Sequence, residues 1–549
     1  MKGEFSMIAR ALLLVIFAAG SLHAQVTFDR ILRANQEPQN WLTYSGTLAG
    51  HRHSLLTQIT PGNARNLELQ WVYQVRSLGR SDKFEATPLV VDGVMYTVSP
   101  PNDVVALDAA TGRIFWIYSH TPSDQSRLCC GRVNRGLAIL GDTLYMGTID
   151  ARLLAIDAKS GRLVWDVPVA KPEAGYGFTM APLIVKDKVI MGPAGGEYGI
   201  RGFLAAFDAK TGKEAWRFNT IPGPGEPEHD TWTPDSWQTG GGSVWVTGSY
   251  DPDLNMLYWG IGNPGPDWNG DSRPGDNLYT DSVIALDADT GTLKWHYQFT
   301  PHDEFDFDAV QVPVLTDILW DGAQRKVMLW ANRNGFWYVI DRVSGQFLMG
   351  KPFTQVNWAS GFDEKGRPLK VLAPTLEGTR VYPNNQGATN WYSPSYSPRT
   401  GYFYIPSWMD TYSVYRKDKT VEYTEGQQFT GIFPTMQMPA LVARPINNRL
   451  PEEGYGAIQA FDPRSGEKKW EFKMTDVTDS GVLSTASDVV FAGGREGYFF
   501  ALNARTGEAL WKAMLGGQIA SGPISYSVGG RQFVAVCSGN GMFVFALRQ

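Results

Sequence analysis

The chain has 549 residues, 43% hydrophobic and 19% charged, with 59 glycines, 33 prolines and 19 tryptophans. A formal net charge of −6 supplies no basic stripe for nucleic acid. The length suggests several domains only if the fold is not a ring of small sheets.

At the start, Lys2 and Arg10 precede an apolar run, Ala11 to Gly20, that is too short to span a bilayer. This pattern predicts a secretory signal over residues 1–24, cleaved near Ala24, although Leu22 suits the small-residue cleavage pattern poorly. Residues 25–549 are then expected as one exported, soluble domain with no membrane span. From residue 106 onward one eleven-residue phrase is written seven times: an apolar strand, Asp or Asn, Ser/Thr-Gly, and an aromatic or apolar stop. Its copies centre on Asp108/Trp116, Asp157/Trp165, Asp208/Trp216, Asp287/Trp295, Asp341/Met349, Asp462/Trp470 and Asn503/Trp511. Each reads as a β-hairpin in which the acidic or amide side chain bonds the turn and Gly accepts positive φ. Such repetition predicts an all-β propeller. Leu67 to Trp71 resembles the strand after each turn, and Met542 to Leu547 the strand before it. Pairing them gives an eighth blade and closes the ring. Asp251 to Asn255 and Ser397 to Gly401 are predicted as other hairpins inside longer blades.

Cys129 and Cys130 are adjacent, and in an oxidising compartment they either close an eight-membered ring or stand as two unlinked thiols. Cys537 reads as a buried small hydrophobe. No C-x-x-C-H occurs, so no c-type haem is attached covalently and any electrons taken must leave to a separate partner. Glu197, Asn263, Asp306 and Asp308 offer oxygen alone, the ligand set of a hard cation such as Ca²⁺ rather than zinc. Asp306 and Asp308, two apart in extended chain, are expected to point to one side. Each alone suits a turn cap or a solvated carboxylate better than a ligand, and the spacing by itself does not decide it.

Several separated motifs carry a resemblance: Trp41-Leu-Thr-Tyr-Ser-Gly46, Cys129 to Gly136, Gly240-Gly-Gly-Ser-Val-Trp245, Tyr250-Asp-Pro252, Gly262-Asn-Pro264, Pro301 to Asp306 and Arg333-Asn-Gly335. The chain resembles the pyrroloquinoline quinone (PQQ)-dependent alcohol dehydrogenases over essentially its whole mature length. The resemblance implies an eight-bladed propeller of the tryptophan-docking type. It also implies oxidation of primary alcohols to aldehydes by hydride transfer to a metal-polarised quinone, with a soluble periplasmic cytochrome c as acceptor. Trp245 matches a stacking floor for PQQ, and a Cys129–Cys130 disulfide its cover. Glu85, Arg135, Thr179, Ser243 and Asn390, with the main chain of Gly195 and Gly196, match positions around the cofactor edge. Arg333 matches a residue set against the quinone carbonyls. Glu197, Asn263 and Asp306 match the metal ligands, and Asp306 also the catalytic base. Asp308 resembles the extra carboxylate of the lanthanide-dependent branch, which implies a preference for a lanthanide(III) ion, with Ca²⁺ as the alternative.

Two departures stand out. Ala194 replaces a Ser found in many members, and Asp479-Ser-Gly481 replaces a Trp-Gly-Gly, implying a more open, more polar cofactor edge or entrance. Trp408 to Tyr415 and the insertion from Gly426 to Asn448 are candidates for the substrate wall. The physiological alcohol and any homodimer are left open. The rival reading is a non-catalytic exported scaffold of the outer-membrane assembly type, which gives no reason for adjacent cysteines beside Trp245 and an acidic cluster.

Overall fold

The structure, a computed structural model, describes residues 25–75, 83–233, 235–436 and 454–548. The expected signal segment and residues 437–448 of the Gly426 to Asn448 insertion lie outside these residues.

Eight blades form a closed ring. Seven sheets have four strands and one has five, the fifth being His53–Ser54, which joins Leu483–Thr485 in parallel. The first blade runs Leu89–Val91, Val94–Ser99, Asp103–Asp108 and Ile114–Ser119. The next six begin at Ala138, Leu183, Ser249, Val314, Ser395 and Leu483. The last blade pairs Ile524–Val528, Arg531–Ser538 and Gly541–Leu547 with Leu67–Gln74 from the other end of the chain, with Trp71 opposite Val544. This closure is the one expected from sequence, and it removes an open sheet edge.

The repeated phrase joins the third strand of a blade to its fourth. At Asp108 the side chain accepts from the amides of Ala110 and Thr111 at 2.9 and 3.0 Å, and Gly112 takes φ +73°. That glycine has a second duty, because a Cβ there would lie 2.6 Å from the ring of Trp71 on the neighbouring blade. The pattern recurs with Gly161 under Trp116 and Gly291 under Trp216. Trp116, Trp216 and Trp470 each donate Nε1 to a backbone carbonyl of the next blade, Ala158, Ala288 and Ala504, at 3.0–3.2 Å. Tryptophan therefore locks blade to blade by ring packing plus one hydrogen bond. Where Met349 replaces it, the aliphatic stem of Lys351 covers Gly466 instead. The extra turns at Asp251–Asn255 and Ser397–Gly401 join the first and second strands of the fourth and sixth blades, inside those blades as predicted.

Topology then sorts the loops. Third-to-fourth and first-to-second turns lie on one face of the ring, whereas blade-to-blade links and second-to-third loops lie on the other. First strands such as Leu89–Val91 and Leu183–Val185 are wholly buried, and last strands such as Ile114–Ser119 are largely exposed, so the first strands line the axis. From the turn face the N-terminal segment packs toward the axis. Its Tyr44 sits among Ala181, Val246, Val310 and Val312, with Trp245 and Trp391 packed against the same cluster.

Candidate active site

Every residue expected from the sequence at the cofactor or metal site falls on the link-bearing face. Glu85 leads into the first blade, Cys129 to Arg135 link the first and second, and Thr179 the second and third. Ser243 and Trp245 follow on the link to the fourth, Asp306 and Asp308 on that to the fifth, and Asn390 on that to the sixth. Glu197, Asn263 and Arg333 occupy second-to-third loops of the third, fourth and fifth blades. One cavity collects them. It is lined by Glu85, Cys129, Cys130, Arg135, Thr179, Gly195, Glu197, Ser243, Trp245, Asp306, Asp308, Arg333 and Asn390. Gly196 and Asn263 do not line it. They pack behind it, where the Asn263 amide donates to Asp308 Oδ1 at 2.9 Å and a Cβ on Gly196 would lie 3.2 Å from Ser243 Oγ.

The link carrying Asp306 departs from expectation. Asp306 is not in extended chain but in the left-handed region, at φ +62°, so its alignment with Asp308 does not come from strand alternation. Asp303 causes the bend: its carboxylate accepts from the amides of Phe305 and Phe307 at 3.0 and 2.8 Å, while both rings are fully buried. The kink turns Asp306 to the cavity between two anchors. Asp306 and Asp308 both reach Arg333, the first at 3.2 Å and the second in a short contact to Nη1.

At the other end the guanidinium of Arg135 meets Glu85 at 2.7 Å and Thr179 Oγ1 at 2.9 Å, 4.8 Å from the Trp245 ring centroid. Cys129 and Cys130 are joined by a disulfide, and Cys130 Sγ lies 3.8 Å from Glu197 Oε1. Sulfurs spent in a disulfide offer no thiolate to a metal, so this pair walls the cavity beside Glu197 and adds no ligand.

Four lining residues were not foreseen: Lys83, Leu128, Gln386 and Trp391. Lys83 Nζ lies 4.9 Å from the Trp391 ring and 3.6 Å from Asp479 Oδ2. Asp479 is fully buried, held by Arg495 through two contacts of 3.0 and 3.1 Å and by Gln518. The departure at Asp479 therefore makes this edge polar, as expected, but filled rather than open. The spacing of Lys83 and Glu85, two apart on one side of extended chain, was the only sequence signal for the lysine.

Electrostatics separates the two ends. Burial, with Asp308 adding to it, pushes Glu197 up to about 7 against a backbone hydrogen bond and Arg333. Burial likewise drives Asp306 well above the carboxylate range; Arg333 opposes, and Asp308 and Glu197 reinforce. Carboxylates crowded out of water in this way require a cation or a proton. Their donor set, all oxygen, fits a hard metal ion, and the Trp245 face opposite the disulfide fits a flat ring system.

The sequence pattern of the family described as "PQQ: Glucose/ethanol/alcohol dehydrogenase, beta-propeller domain" matches residues 41–357 and 365–534. The chain belongs to the PQQ-dependent alcohol dehydrogenase family. It is 36% identical to the quinoprotein alcohol dehydrogenase PedH of Pseudomonas putida, over 98% of this chain and 91% of that one. It is 40% identical to the quinohemoprotein alcohol dehydrogenase ADH IIB of the same species, over 95% of this chain and 76% of that one. Among solved structures a europium-containing methanol dehydrogenase superposes with a TM-score of 0.86 at 31% identity, covering 94% of this chain and all of that one. This PQQ-dependent alcohol dehydrogenase is thus an enzyme, and the scaffold reading falls away. Among its described residues no helix is long and apolar enough to cross a membrane.

Proposed function

We propose that this alcohol dehydrogenase oxidises primary alcohols to aldehydes in the periplasm. It would be exported behind residues 1–24, act as a single propeller domain over 25–549, use a lanthanide(III) ion in preference to Ca²⁺, and pass electrons to a separate cytochrome c. The observation that carries the reading is the convergence of Asp306 and Asp308 on Arg333, in the cavity that Glu197, Trp245 and the disulfide share. Glu197, Asn263, Asp306 and Asp308 would hold the metal; Trp245 and the disulfide would enclose PQQ. Glu85, Arg135, Thr179, Ser243, Asn390, Arg333 and the main chain of Gly195 and Gly196 would surround its edge. When bound, PQQ supplies the two-electron acceptor and the metal the Lewis acid that activates it.

The protein's own part is proton handling and placement. Asp306, anchored by Asp303 and steered by Arg333, accepts the alcohol hydroxyl proton within hydrogen-bond reach. Beside a cation its carboxylate is a weak base, so it acts on a hydroxyl already polarised in the cavity. Arg333 stands as a fixed positive charge where negative charge develops, preorganised by Asp308 and the Asn385 carbonyl. The disulfide and Trp391 keep water from the reacting face. Dye-linked oxidation of primary alcohols, after loading with PQQ and either La³⁺ or Ca²⁺, tests the reading. Turnover with La³⁺ well above that with Ca²⁺ is expected; equal rates refute the metal preference, and no turnover with either refutes the activity.

A further inference from the structure

Behind Asn263 the same loop carries another carboxylate that the four proposed metal ligands leave unexplained. Asp267 is 2% exposed, and its Oδ1 finds no hydrogen-bond partner among the described residues. Its principal electrostatic neighbours are Asp306, Glu197 and Asp308, and the Asn263 side chain lies beside its carboxylate. Arg273 is a nearby charge for Asp267, Asp281 and Asp303 alike but forms an ion pair with none of them, its guanidinium donating instead to the Pro266 and Asp303 carbonyls and to Asn277 Oδ1, and Asp303 also has Lys370 nearby. Asp267 makes no ion pair of its own among the described residues.

Its place is fixed from both sides. Arg273 donates to the Pro266 carbonyl at 2.9 Å, and the Trp268 amide donates to the Thr430 carbonyl at 3.0 Å. The preceding strap residue, Phe429, donates its amide to the Glu197 carbonyl at 2.6 Å. Two consecutive residues of one strap thus tie the Asp267 loop to the Glu197 loop. A buried carboxylate without a cation costs several kcal/mol, and such a cost persists where a bound ion removes it.

We infer that Asp267 is a positioning residue of the metal site, orienting Asn263 and adding a fourth negative charge that biases the site toward a trivalent ion. This rests on the metal reading proposed above. With Glu197, Asp306 and Asp308 it makes four carboxylates, of which only Asp306 and Asp308 form an ion pair among the described residues, both with Arg333, and the excess negative charge favours a trivalent ion over a divalent one.

The charge and the shape can be separated by Asp267→Asn, which keeps an oxygen for Asn263 and removes only the charge. In the full-length protein, Tb³⁺ binding would be followed by tryptophan-sensitised luminescence, with La³⁺ and Ca²⁺ as competitors. Coulomb energy scales with ion charge, so a loss of about tenfold in Ca²⁺ affinity should accompany about thirtyfold for Tb³⁺ and La³⁺. The metal-free variant should melt no lower than the metal-free wild type, since it loses a buried unpaired charge; this excludes misfolding as the cause. Unchanged affinities, or equal losses for both ion classes, overturn the inference while leaving the metal reading intact. A wild-type protein that binds La³⁺ and Ca²⁺ equally overturns the metal reading and the inference with it.

Discussion

At the rim over the first blade, Glu85 and Asp479 are interleaved with Lys83, Arg135 and Arg495, and each carboxylate touches a guanidinium. At the opposite end Asp306 and Asp308 share the guanidinium of Arg333, and Glu197 and Asp267 stand near them without an ion pair among the described residues. Both ends are buried, so both face the same desolvation cost. One cancels it with its own side chains and leaves a cation to spare. The other is short of positive charge and is complete only with an ion from outside. A cavity polarised in this way suits a ligand whose anionic edge turns to the rim while its metal rests on the acidic floor.

The largest expected effect breaks the floor. Asp306→Asn should lower alcohol turnover by about two to four orders of magnitude, the range for a removed general base, with PQQ and metal still bound. Full turnover in a loaded Asp306→Asn protein would remove Asp306 from that role. At the rim, Arg135→Met should destabilise the protein by about 3–5 kcal/mol, because Glu85 is left buried without its partner. Burial already holds Glu85 above its ordinary range against Arg135. The double variant Glu85→Gln/Arg135→Met should recover much of the loss in a denaturant titration, and strictly additive losses would deny the pairing.

Metal removal sharpens the contrast. Free ion at about 100 times its dissociation constant should add about 2.7 kcal/mol to unfolding stability, and Asp308→Ala should abolish most of that gain. The same ion should leave the stability cost of Arg135→Met unchanged, since the rim has no deficit for it to fill. Lys83→Met is a smaller perturbation. Asp479 keeps Arg495, so the fold should tolerate the change, while PQQ affinity measured by tryptophan quenching should fall by about tenfold, the size of a charge-assisted hydrogen bond. An unchanged affinity would assign Lys83 to Asp479 alone.

How much of this was legible follows from where each signal resides. The ring was legible because a turn needs Asp and Gly at fixed offsets and a tryptophan to cover the next glycine, and all three requirements are local in sequence. Glu197 and Asp306 were visible as oxygen donors, but their convergence with Arg333 was legible only through motif resemblance, since nothing local requires loops of three blades to meet. Asp306 lines the shared cavity, but on a left-handed and not an extended backbone. Its kink depends on Asp303, whose capping of two amides sequence offers only as one more acidic residue. Lys83 and Asp267 carried no motif, because their importance lies in contacts with Asp479 and Trp391, or in a charged neighbourhood shared with Glu197, far away in the chain. Asp479 was visible as a departure, but its partner Arg495 turned an expected opening into a buried ion pair.

The weakest effect concerns the link that carries the disulfide. His120 Nε2 lies 2.9 Å from Asp150 Oδ1, and the Ser123 amide donates to Asp150 Oδ2 at 3.2 Å, tying the start of that link to a second-blade loop. Burial raises the Asp150 carboxyl, but the bonds from His120, Thr148 and Ser123 outweigh it and hold it at about 2. A depressed value means that the contribution is complete above the unfolded value near 3.8 and is lost as pH falls from there through about 2. After discounting for solvent contact it should amount to about 1 kcal/mol. Thermal melts of wild type and Asp150→Asn should therefore differ at pH 6 and converge toward pH 2. A constant gap across that interval would show that the link is held by packing and not by this charge, and would leave the disulfide wall insensitive to acid.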